Sequence, residues 1–203
     1  MFEFGNVRFR PWEKEDLKLL HQWENDWEVI MYSRSLPMNF QSMTQIERMF
    51  EERMKEEKNR YFIVETITPN ESIGIATIRG EEWANVKSAA LGTYIGKKEL
   101  WGKGYGKQIT VAMLEMCFFH LNMERCEAWS VEYNTRAHKS LEACGFKRVG
   151  ILRETSFVTN KRWNSYVFDI LRQEYLNMRE RLLKETLGGK LDDYLKKHCH
   201  LAP

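Results

Sequence analysis

Long apolar runs are missing from this 203-residue chain, and none approaches the roughly 18 residues that a membrane-spanning helix needs. A bias toward one sign of charge is missing too. The 31 Lys+Arg and 29 Asp+Glu residues leave a formal charge of +2, which excludes a bulk electrostatic grip on nucleic acid. Proline (4) and glycine (12) are too scarce for a collagen-like or low-complexity chain. The opening Met1-Phe2-Glu3-Phe4-Gly5 lacks the basic-then-apolar order of a secretory signal. Cysteine is also sparse, and Cys117, Cys126, Cys144 and Cys199 form no C-x-x-C pair, so free thiols in a reducing cytoplasm are expected. What is present is 43% apolar and 13% aromatic residues, enough for a sizeable core and incompatible with disorder. A soluble, cytoplasmic, globular chain is the expectation.

Periodicity orders the elements. Val7-Arg8-Phe9-Arg10 alternates into Pro11, as a short edge strand does. Leu17, Leu20 and Trp23 recur at helical spacing, and Ser42 or Thr44 caps a second helix with Ile46, Met49 and Phe50 on its buried stripe. Residues 61–65 and 72–79 form a hairpin around Thr68-Pro69-Asn70-Glu71. A looser piece with Glu81, Glu82, Trp83 and Asn85 leads to a strand at 88–96. A buried helix runs to His120, and 125–131 reads as a strand. Asn134 caps a helix that Gly145 ends. Strands at 146–151 and 166–171 close the pattern. The order implies one α/β domain over residues 1–172, a mixed sheet with helices on both faces. Residues 173–203 read as a helical, charged appendage with too few apolar residues for a core of its own.

The densest glycine cluster is Trp101-Gly102-Lys103-Gly104-Tyr105-Gly106, between a strand and a helix. Such a bend aims successive amides at one point beside the positive end of the helix dipole, a nest for phosphate oxygens. Gly102, Gly104 and Gly106 let a pyrophosphate approach the main chain, and Lys103 and Lys107 add charge. A Walker A loop is excluded, because Trp101 and Gln108 stand where Gly and Ser/Thr are required. A dinucleotide fingerprint is excluded as well, because Lys107 or Ile109 occupies the third glycine position.

This cluster resembles the acetyl-CoA pyrophosphate loop of the GNAT N-acetyltransferase superfamily, and its Trp-Gly-Lys-Gly-Tyr form is similar to the RimJ/RimL-like branch. Tyr94-Ile95-Gly96 resembles that family's splayed strand. Asn134 with Leu141-Glu142-Ala143-Cys144-Gly145-Phe146 is similar to its Asn…Gly-Phe block, and the match runs over about residues 6–172. The resemblance implies a mostly antiparallel sheet of six to seven strands and acetyl-CoA as co-substrate without a metal. It implies that the amides of residues 101–107 hold the pyrophosphate. Main chain at Tyr94 and Ile95 would pair with the pantetheine arm, and the Asn134 side chain would contact it. The acceptor implied is a primary amine, a protein N-terminus before a polyamine or amino sugar.

Leu141 and Ala137 stand where the resemblance puts a Tyr or Ser hydroxyl, and Ser140 is read as facing elsewhere. Glu132, at a strand end, is the candidate base or water-orienting group, against its plainer reading as a solvated carboxylate. Glu127 is expected to pair with a neighbouring Lys or Arg. Trp23, Trp27 and Tyr32 read as core packing before an amine pocket, and His198-Cys199-His200 as a solvated tail before a metal site. The missing hydroxyls keep a non-catalytic acyl-CoA-binding or sensing module in view, and the nest alone keeps a nucleotide-binding protein. The helical tail leaves room for a homodimer.

Overall fold

The computed structural model describes residues 1–33, 39–80 and 86–198. Its sheet has the strands β1 (Phe2–Phe4), β2 (Val7–Pro11), β3 (Arg60–Thr66), β4 (Glu71–Gly80), β5 (Ser88–Ile95), β6 (Arg125–Val131), β7 (Lys147–Val158) and β8 (Lys161–Leu171). They lie in the order β1-β2-β3-β4-β5-β6-β8-β7. Every neighbouring pair is antiparallel except β5 and β6, which are parallel. The eighth strand is β1, too short to show a period in the sequence. Among the described residues no helix is long and apolar enough to cross a membrane.

Helices α1 (Leu17–Glu24) and α3 (Met43–Arg53) cover one face. There Trp12, Leu20, Trp23 and Ile46 are sealed against Ile63 and Ile75. The expected Ser42 cap is present, with its hydroxyl accepting from the Gln45 amide and the Gln45 side chain answering on the Ser42 amide. Between α1 and α3 lies α2 (Trp27–Ser33), which packs on β5 and β6. Its seven residues are too few for a helical period to show.

The opposite face carries α4 (Tyr105–Glu115), prolonged by one π-turn at Met116–His120, with α5 (Thr135–Ala143), α6 (Arg172–Leu187) and α7 (Leu191–Lys197). The two-sided apolar character of α4 is explained by position, since Ile109 and residues 111–114 are all buried between sheet and helices. The appendage reading of residues 173–203 is corrected here. Tyr175, Leu182, Leu183, Leu187 and Tyr194 belong to the same core as α4 and the sheet. They need no core of their own because they complete this one.

A buried charge cluster fastens that arrangement. Glu115 of α4 is fully buried and takes a two-pronged contact from Arg179, 2.8 Å at each oxygen. The Tyr175 hydroxyl and the Tyr194 hydroxyl (2.8 Å) also donate to it. Every lone pair that burial would leave exposed to cost is thereby matched. Cys117, Cys126 and Cys144 are buried free thiols, as expected, and burial pushes the Cys144 thiol up to about 12. Cys199, His200, Glu81, Glu82, Trp83 and Asn85 lie outside the described residues.

Candidate active site

β5 and β6 are hydrogen-bonded only at their beginnings, where Ser88, Ala89 and Ala90 face Arg125, Cys126 and Glu127. Beyond that point the strands part. β5 stays bonded to β4 up to Ile95, and β6 stays bonded to β8 up to Val131. The two inner edges therefore keep unpaired backbone groups, a state that sheets normally avoid. Gly96 donates its amide to Ile73 O at 2.9 Å, so by strand alternation the Ile95 and Thr93 amides turn the other way, into the gap.

The gap opens into a cleft of about 600 Å³ walled by β5, β6, the glycine bend, α4 and α5. At the bend Gly102 (φ +76°) and Gly104 (φ +85°) adopt left-handed conformations that favour glycine. A side chain added at either would meet nothing within 4 Å, so this is open space facing solvent and the cleft. Gly104 begins α4, and the amides of Tyr105, Gly106 and Lys107 have no intrahelical acceptor. The expected set of amides at residues 101–107 is narrowed at two positions. Trp101 N–H is given to Lys98 O at 3.0 Å, and Lys103 N–H to Leu100 O at 3.4 Å.

Trp101 acts through its ring. Its indole N–H donates to Ile95 O at 2.8 Å, tying the bend to the end of β5. The guanidinium of Arg136 lies 4.2 Å from the Trp101 ring centre and 4.7 Å from that of Tyr32. Lys107 pairs with Glu185 of α6 at 2.7 Å, a contact that holds the Glu185 carboxyl below its ordinary range. Lys103 is exposed on the bend, and Tyr105 is half-buried against the core. Among the described residues the cleft wall contains Lys107, Arg136 and Lys139 and no carboxylate, a lining suited to an anion.

Asn134 caps α5 as expected, its side-chain oxygen accepting from the Ala137 amide at 3.2 Å. Its side-chain NH₂ donates to Tyr32 O at 3.0 Å, and the Tyr133 hydroxyl donates to Met31 O. Burial pushes the Tyr133 phenol above its usual range, which keeps it a donor. Together these side chains strap the end of α2 across the gap. Tyr94 lines the cleft and donates its hydroxyl to Glu24 at 2.7 Å.

Glu132 does not line the cleft. Its carboxylate accepts the Asn164 amide at 3.2 Å and the Tyr166 hydroxyl at 3.1 Å, which gives it a strand-holding task. Glu127 pairs with Arg125 at 2.6 Å, as expected. Trp23 is core, with the Gly96 backbone pressed on its ring, whereas Tyr32 faces the cleft. The reading of Ser140 is corrected. Three residues beyond Ala137 is the same helical face, and Ala137, Ser140 and Leu141 all line the cleft. Arg136, Lys139 and Ser130 are also in the wall and were not singled out by sequence. Among the described residues no group of three or more metal-ligating side chains occurs.

A split parallel pair of strands, continuous with a phosphate nest at a helix start, defines an α/β protein that receives a long, phosphate-headed, amide-bearing ligand in extended form. The chain belongs to the GNAT acetyltransferases: the model of the acetyltransferase (GNAT) domain matches residues 6–147. It is an acetyl-CoA-dependent N-acetyltransferase. An uncharacterized N-acetyltransferase, p20, of Bacillus licheniformis is 28% identical over 83% of this chain and 94% of its own length. A spermidine N(1)-acetyltransferase of Vibrio cholerae is 26% identical over 87% of this chain and 99% of its own. A crystal structure of spermidine N-acetyltransferase from Vibrio cholerae in complex with CoA and spermine superposes with TM-score 0.76. That match has 25% identity and covers 85% of this chain and 99% of that one. These relatives support the superfamily and point to spermidine acetylation, not to the RimJ/RimL-like branch expected from the glycine bend.

Proposed function

We propose that this enzyme moves an acetyl group from acetyl-CoA to a primary amine of a small polyamine, with the acyl-pantetheine arm lying in the β5/β6 gap. The observation that carries the reading is the gap itself, two unpaired strand edges that lead to the open glycine bend. The polyamine class is supported by the spermidine N-acetyltransferases that resemble nearly the whole chain. A protein N-terminus, the acceptor first expected, has no such support.

The residues divide the work by position. Amides at Gly104, Tyr105, Gly106 and Lys107, with the dipole of α4, receive the pyrophosphate. Lys103, Arg136 and Lys139 add charge at the cleft mouth. The edge of β5 at Tyr94 and Ile95 extends the sheet onto the arm, and Asn134 holds the opposite wall. Acetyl-CoA supplies a thioester carbonyl and a thiol near pKa ~8.5, a fair leaving group unaided. The Thr93 or Ile95 amide is the donor turned toward the developing oxyanion. With α4, α5 and the bend filling one side, the amine enters from the α1–α2 side.

Attack requires the free amine, and a lysine-type amine near pKa 10.4 is only about one part in a few thousand neutral at pH 7. Glu132 is turned to β8, so the proposed chemistry does not run through it; orientation is the main source of rate. A thiol-release assay with acetyl-CoA across spermidine, spermine, amino sugars and N-terminal peptides tests the reading. Turnover of spermidine or spermine is expected. Turnover of peptides alone, or of none, contradicts it.

A further inference from the structure

The Ser130 hydroxyl stands out because nothing inside the protein uses it. Ser130 is more than nine-tenths buried, and its Oγ has no hydrogen-bond partner among the described residues. It also lines the cleft. A buried hydroxyl without a partner destabilises a protein relative to alanine at the same place, so an alanine would serve the fold better. Ser130 lies on β6 beyond the point where β6 leaves β5, and its outer edge is satisfied by β8, where Ser130 faces Tyr166.

Carrying the parallel register forward from Ala90 and Glu127 brings Ser130 level with Thr93 across the gap. The Thr93 hydroxyl is already donated to Ile75 O at 2.8 Å. Ser140, the other serine of the wall, lies at the phosphate end, with its Oγ 3.4 Å from where a side chain on Gly106 would start. Ala137 and Leu141, also in the wall, carry no hydroxyl at all. Of these four side chains, Ser130 alone presents an unused donor to the middle of the gap.

We infer that Ser130 is a positioning residue that donates its hydroxyl to a carbonyl of the acyl-pantetheine arm. It supplies from the strand the polar hold that α5, with Ala137 and Leu141, does not. The inference rests on the proposed placement of the arm. It extends that proposal by naming a donor on β6, opposite the backbone edge of β5. The ligand's amide carbonyl completes a hydrogen bond that the empty protein lacks, so affinity and stability pull in opposite directions at this position.

The test is calorimetric titration of wild type and Ser130→Ala with two probes, CoA and 3′,5′-ADP, which has the phosphates but no arm. Thermal melting of both ligand-free proteins accompanies it. The expected result is a CoA Kd raised about three- to tenfold in Ser130→Ala. The 3′,5′-ADP affinity stays unchanged and the ligand-free melting temperature is equal or higher. In turnover, KM for acetyl-CoA rises while KM for the amine does not. An unchanged CoA affinity overturns the inference, and so does parallel loss of 3′,5′-ADP binding. A clear fall in ligand-free melting temperature overturns it too, since it would show the hydroxyl working inside the fold. Wild type that binds 3′,5′-ADP but gains nothing from the arm would instead overturn the placement of the arm on which the inference stands.

Discussion

At the scale of single residues, Gly104 carries two requirements that a substitution separates. Its φ of +85° strains any L-residue, and the space above it is empty within 4 Å. Gly104→Ala should therefore cost about 1–2 kcal/mol of stability through backbone strain. The added methyl also stands where a phosphate must approach. CoA affinity should fall roughly tenfold or more, as expected when charge-assisted bonds to the nest are lost. Urea melts and calorimetry on the same variant read the two effects. A variant that loses stability and keeps its affinity would place the phosphates elsewhere.

His138 offers a residue-scale test by pH. Burial holds its pKa below the usual 6.5, with a smaller opposing effect from its 3.1 Å contact to Val131 O. The ring also packs on Tyr166 and Phe168. A group whose folded pKa is depressed contributes stability that is intact above its unfolded pKa and lost as pH falls through the folded one. Wild type should lose stability between pH 7.5 and 5 more steeply than His138→Gln, read by urea melts at both pH values. Equal slopes would contradict a neutral, buried ring.

At the scale of elements, the end of β5 is set by close contacts that glycine permits. A Cβ on Gly96 would fall 2.2 Å from Cδ2 of Trp23, a core ring with nowhere to go. Gly96→Ala should destabilise by about 1–3 kcal/mol, in the manner of overpacking. It should weaken CoA binding as well, because Ile95 and the Trp101 indole are fixed to the same strand end. A loss of stability with full affinity would mean that the strand end and the cleft are independent.

Elements also show why part of the molecule was legible in the sequence and part was not. The bend at residues 101–106, the caps Ser42 and Asn134 and the buried α4 announce themselves through local chemistry. The outer halves of β7 and β8 do not. Exposed Arg153, Glu154 and Thr155 leave no alternation to read, because β7 is an edge strand with few buried positions. In the cleft, glycines signalled the phosphate end. The indole of Trp101, the stacked Arg136 and the unpartnered Ser130 gain meaning only from partners across the fold.

At the scale of the whole molecule, the last two helices are bound to the helix that begins at the glycine bend. Glu115 on α4 gathers Arg179, Tyr175 and Tyr194 from α6 and α7, and Lys107 meets Glu185 at the other end. Removing one partner leaves a buried carboxylate without compensation. Arg179→Leu should lower global stability by roughly 3–5 kcal/mol. The urea transition should remain single, because α6 and α7 share the core with the sheet. An early, separate transition for the C-terminal helices would show a detachable unit.

The strand gap as the seat of the acyl-pantetheine arm is open to direct measurement by amide hydrogen exchange with and without CoA. New protection at Thr93 and Ile95, together with the amides of residues 104–107, is the predicted outcome. Unchanged exchange at those amides under saturating CoA, or protection confined to another surface, would contradict it.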